Sequence, residues 1–65
     1  MTTNPNTAPL LLSVRETARI SGISKSELYR RIEDGRLRAR MIGSVMRVHR
    51  DDLYEMIDGL PLVGE

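Results

Sequence analysis

Sixty-five residues with ten Lys or Arg, nine Asp or Glu and no Cys allow one small domain with a modest core. With His49 as the sole histidine there is no ligand set for structural zinc and no disulfide framework, so no metal or other cofactor is expected. No run is long or apolar enough to span a membrane and the N-terminus lacks signal-peptide architecture, which makes the cytoplasm the default location.

The net charge of +1 conceals a split. From Lys25 to Arg50 eight basic residues face three acids, Glu27, Glu33 and Asp34, a balance of +5. The rest of the chain sets Arg15 and Arg19 against Glu16, Asp51, Asp52, Glu55, Asp58 and Glu65, a balance of −4. A basic middle beside an acidic end makes a field that can orient the domain on a polyanion; ordinary solvated charge is the plainer alternative.

Residues 1–9 (MTTNPNTAP) are small, polar and carry two prolines, and are expected to form a disordered tail. Leu10, Leu11 and Leu12 bring the chain onto the core, with Leu12 in the staple position before a helix cap. Ser13-Val14-Arg15-Glu16 and Ser24-Lys25-Ser26-Glu27, eleven residues apart, each read as a helix N-terminus. In such a box the serine hydroxyl accepts from the third helical N–H and the glutamate reaches back to the cap. The first helix is predicted from about Val14 to Ile20, burying Val14, Ala18 and Ile20. Ser21-Gly22 supplies the turn and Ile23 plugs between the helices.

The second helix is predicted after Ser24, ending at Asp34 with Gly35 just beyond, and its buried stripe is Leu28 and Ile32. The segments from Arg36 to Ile42 and from Val45 to Val48 around Gly43-Ser44 read as a hairpin. Alternation sets Arg36, Arg38 and Arg40 on one side of its first strand, with Arg47 following on the second. A third helix begins near Arg50, with Asp51 and Asp52 favouring the positive end of its dipole and Leu53, Met56 and Ile57 as its apolar face. Asp58-Gly59 and Pro61 stop it, leaving residues 61–65 as a C-terminal tail and residues 10–60 as the domain.

Helix, tight turn, helix and basic hairpin together describe a mainly α winged helix-turn-helix with a two-stranded wing, which points to double-stranded DNA. A helix entering the major groove needs long donors on one exposed face, and Lys25, Ser26, Tyr29 and Arg30 cluster on one side of the second helix. Arg30 is the candidate for guanine O6 and N7, and Ser26 for a base or a phosphate. Arg38, Arg40, Ser44 and Arg47 are the wing's candidates, mostly for backbone phosphate, while Arg36 has Glu33 or Asp34 as alternative partners. No catalysis is expected: no His/Arg constellation surrounds Tyr29, and so short a chain cannot enclose a pocket. His49 is read as an exposed cap of the third helix, and Met41, Met46 and Met56 as core filler.

The run L-L-S-V-R-E-T-A-R-I-S-G-I-S-K-S-E-L-Y-R-R-I-E-D-G-R-L, then the I-G turn and M-R-V-H-R-D-D-L, resembles the excisionase-type winged helix-turn-helix related to the MerR group. The resemblance covers Leu11 to Ile57 and implies a recognition helix over Ser24 to Arg31, Arg31 included, and a wing tip over Gly43 to Arg47. It implies a phage or prophage excisionase, or recombination directionality factor, in a bacterial host cell. Such a protein binds and bends attachment-site DNA beside an integrase and neighbouring copies of itself. The chain's short length favours this over a MerR-type regulator, which appends a dimerisation helix and an effector domain. A compact transcriptional regulator on the same fold is the second expectation. A protein-interaction adaptor that binds no DNA is the third.

Overall fold

Three short helices and a three-stranded antiparallel sheet make up residues 9–64, the part of the chain that the computed structural model describes. Most of the expected N-terminal tail, residues 1–8, and residue 65 lie outside the described residues. The elements run β1 (Leu11–Leu12), α1 (Val14–Ser21), α2 (Lys25–Glu33), β2 (Arg40–Ile42), β3 (Val45–His49) and α3 (Arg50–Asp58).

Local sequence accounts for the helix-turn-helix. The Ser13 hydroxyl accepts from Glu16 N–H at 3.0 Å and the Ser24 hydroxyl from Glu27 N–H at 3.2 Å, so each satisfies an otherwise orphaned donor. The two glutamate carboxylates meet arginines on their own helices: Glu16 takes Arg19, and Glu27 takes Arg30 and Arg31. The hydrogen bond from Arg19 holds the Glu16 carboxyl below the usual carboxylate range. Gly22 ends α1 at φ 77, a left-handed conformation that a side chain resists, and its N–H closes on Ala18 C=O at 2.9 Å. Gly35 does the same after α2 at φ 79.

Leu12, Val14, Leu28, Leu37, Val48, Leu53 and Met56 form the core, with Ala18, Ile23, Ile32, Ala39 and Met46 packed against it. Every element but β2 contributes at least one of the seven. The expected stripe of α2 is confirmed, since Leu28 is fully buried and Ile32 lies beside it. On α1 the expectation fails in part. Val14 is buried as expected, but Ile20 is exposed and Thr17 is buried in addition. A hydroxyl can be buried there because Thr17 Oγ1 donates to Ser13 C=O at 2.7 Å, which leaves no unsatisfied group. Ile57 is likewise exposed on α3, where Leu53 and Met56 suffice to cover a small core.

Two features of the sheet depart from the sequence reading. Leu11 and Leu12 form a strand, pairing antiparallel with His49 and Val48, so β3 is central in the order β1-β3-β2. The strand expected from Arg36 is also shorter, because Arg36 N–H and Leu37 N–H both bond to Arg31 C=O and wrap the chain around the end of α2. Alternation nevertheless survives as burial: Leu37 and Ala39 point inward while Arg36, Arg38 and Arg40 are exposed. The hairpin register is Arg40 opposite Arg47, Met41 opposite Met46 and Ile42 opposite Val45. Gly43 at φ 61 followed by Ser44 at negative φ matches the primed turn whose first central residue is glycine. Met41 is 58% exposed and therefore not core, unlike Met46 and Met56.

Candidate nucleic-acid interface

The exposed face of α2 is assembled by its buried one. With Leu28 and Ile32 held in the core, helical spacing turns Lys25, Ser26, Tyr29 and Arg30 outward, and all four are exposed. Lys25, Ser26 and Tyr29 have no side-chain partner among the described residues. Arg30 is 70% exposed in its side chain and rests 3.4 Å from Glu27, a surface contact that a stronger acceptor can displace. Ser24 caps the helix with its oxygen lone pair, which leaves its hydroxyl proton for an acceptor arriving at that end.

Arg31 behaves differently from its neighbours. Its side chain is 19% exposed and its Nε donates to Glu27 Oε2 at 3.1 Å, while its carbonyl anchors the loop that leads to Leu37. The structure thus separates Arg31, lodged against α2, from the outward set.

The wing gathers the remaining candidates. Arg40 and Arg47 are cross-strand partners, so both project from one face of the hairpin. Ser44 is exposed in the turn. Arg47 is half-buried and its guanidinium donates to Met46 C=O at 3.3 Å. Arg38 and Arg40 converge on one carboxylate, Asp52, at 3.9 and 3.4 Å. Asp52 is 11% exposed in its side chain whereas the two arginines are largely open to solvent.

Asp52 is the residue that sequence reasoning missed. It reads as a helix-dipole residue at the start of α3, which it also is, and no local pattern links it to arginines twelve and fourteen positions earlier. His49 performs the expected capping, accepting from Asp51 N–H at Nδ1 over 3.0 Å, although it is half-buried and not exposed. Among the described residues no cluster of His, Asp or Glu is arranged to hold a metal ion, and no helix is long and apolar enough to cross a membrane.

A capped helix with outward donors, reached through a tight turn and followed by an arginine-bearing hairpin, defines a winged helix-turn-helix. A family model described as a helix-turn-helix domain matches residues 11–60, and the chain belongs to that family. The family includes excisionase-like DNA-binding proteins and is typically non-enzymatic, and membership points to double-stranded DNA as the partner. No curated protein and no solved structure matches the chain.

Proposed function

We propose that this protein is a sequence-specific DNA-binding protein of the excisionase type, one that binds and bends attachment-site DNA so that an integrase excises a phage or prophage. The observation that carries the reading is the outward set Lys25, Ser26, Tyr29 and Arg30 on a short helix whose other face is locked into the core. In this reading α2 lies in the major groove, with Arg30 at a guanine edge and Lys25, Ser26 and Tyr29 at bases or phosphates. Ser24 donates to phosphate at the helix N-terminus, and Arg31 contributes charge from the groove's margin. Arg38, Arg40, Ser44 and Arg47 grip the backbone through the wing and set the register in which α2 reads. The excisionase assignment is supported by the motif series from Leu11 to Ile57 and by the kind of protein the family includes. The reaction belongs to the integrase, and this chain supplies DNA geometry. The work is placed in the cytoplasm of a bacterial host cell.

Loading on DNA is expected to be head-to-tail, with the basic middle of one copy against the acidic α3 of the next. Among the described residues no helix is long enough to carry a heptad seam for a dimer in solution. The test is a binding series on random duplex at low salt, then co-expression with a phage integrase and a plasmid bearing that integrase's attachment site. Shifted duplex and integrase-dependent excision are expected. Binding without excision, but with altered expression from a nearby promoter, makes the protein a transcriptional regulator. Absence of any shift makes it a protein-binding adaptor.

A further inference from the structure

The hairpin has an apolar end that phosphate contact does not use. Ile42 and Val45 are the last cross-strand pair before the Gly43-Ser44 turn, and they are 55% and 43% exposed. Neither belongs to the core or to the partly buried residues packed against it. Side chains alternate along a strand, so Ile42 shares a face with Arg40 and Val45 shares that face with Arg47. One face of the wing therefore carries two aliphatic side chains at the tip and two guanidiniums one step behind.

That order of chemistry selects its partner. Two arginines beside an apolar tip repel a second copy brought up on the same face, since four guanidiniums would meet. They suit a surface whose charge lies on two outer rails and whose floor and walls are less polar. The minor groove of duplex DNA is such a surface, with phosphates along its rims and sugars and base-step edges inside. At about 6 Å the groove is too narrow for a two-stranded ribbon, so the side chains flanking the turn are what can enter it. The two-residue turn keeps that end of the hairpin slim.

We propose that Ile42 and Val45 form an apolar wedge that enters the minor groove at a flexible base step. The wedge partly unstacks that step and bends the duplex, while Arg40 and Arg47 hold the flanking phosphates. The proposal rests on the DNA-binding reading and deepens it by naming the residues that shape the DNA. Burial of the two aliphatic side chains offsets the cost of unstacking, so the wedge favours steps that open easily, such as TA and CA/TG.

The test is the double variant Ile42→Thr/Val45→Thr, which keeps β-branched strand formers at two exposed positions and removes their apolar ends. An unchanged thermal melt establishes that the fold is kept. Three readouts follow on duplexes carrying a central TA step: affinity over a salt series, end-to-end energy transfer for bending, and fluorescence of an adenine analogue beside the step. The wild-type chain is expected to shorten the end-to-end distance and brighten the analogue. The variant is expected to bind about tenfold more weakly with the same salt slope, and to do neither. A variant that bends and unstacks the duplex as the wild type does overturns the wedge. So does a wild-type dimer in sedimentation that the variant abolishes with bending intact, which makes the pair a protein interface. Failure of the wild-type chain to bind any duplex at low salt is a separate result and removes the DNA-binding reading itself.

Discussion

Helix α2, the proposed recognition helix, and the wing carry comparable chemistry but are held in opposite ways. On α2 the outward donors Lys25, Ser26 and Tyr29 have no hydrogen-bond or ion-pair partner among the described residues, and their direction is set by the buried Leu28 and the partly buried Ile32 behind them. On the wing the charges are already engaged: Arg38 and Arg40 lean on Asp52 of α3, and Arg47 bonds the backbone of its own strand. The helix is therefore a rigid part with free ends, and the wing an adjustable part with tethered ends. Rigid placement suits reading a base edge, where a bidentate contact tolerates little error, and tethered arginines suit phosphates, which repeat along the duplex.

The strongest way to break this contrast is to remove the helix's support. Leu28 is fully buried under α2, so Leu28→Ala is expected to cost about 2–4 kcal/mol, much of the stability of so small a domain. Met41→Ala on the wing, at an exposed position, is expected to cost no more than about 0.5 kcal/mol. Thermal or urea melts of the two variants compare the regions directly. A cooperative, near-wild-type melt for Leu28→Ala would overturn the buried-face assignment.

Reading and gripping separate next. Arg30→Ala is expected to lose about 1–3 kcal/mol on the cognate site and far less on random duplex. Arg47→Ala should weaken both by similar factors and lower the salt slope by about one. Arg15, exposed on α1, serves as the charge control. Equal losses for all three variants, measured over several salt concentrations, would leave only non-specific charge.

A smaller effect is expected at the entry to the helix. Ser24→Ala removes the acceptor for Glu27 N–H and should cost about 1 kcal/mol of stability, which a melt detects. The smallest concerns the tether. Asp52→Asn releases Arg38 and Arg40 from pairs that, with arginines so exposed, are worth no more than about 1 kcal/mol each. Random duplex should then bind a few-fold tighter with a steeper salt dependence. Unchanged or weaker binding would mean that Asp52 aims the two arginines and does not compete with DNA for them.

The outline of the helix-turn-helix was legible in the sequence because its rules are short-range. Ser13 and Ser24 cap within three residues of themselves, Gly22 ends a helix by its own conformation, and Leu28 and Ile32 share a face by helical spacing. The outward side of α2 follows from those four facts, and so does the identity of the residues on it. Alternation in Arg36-Leu37-Arg38-Ala39-Arg40 likewise determined which side chains face in, even where no strand forms. Tertiary structure alone decided the rest. Leu11 and Leu12 become a strand only because β3 has an open edge to pair with. Asp52 meets Arg38 and Arg40 across a turn and a strand, and Ile42 and Val45 are left outside because the core closes without them. Each of these depends on contacts between segments distant in the chain, whose geometry no local spacing encodes.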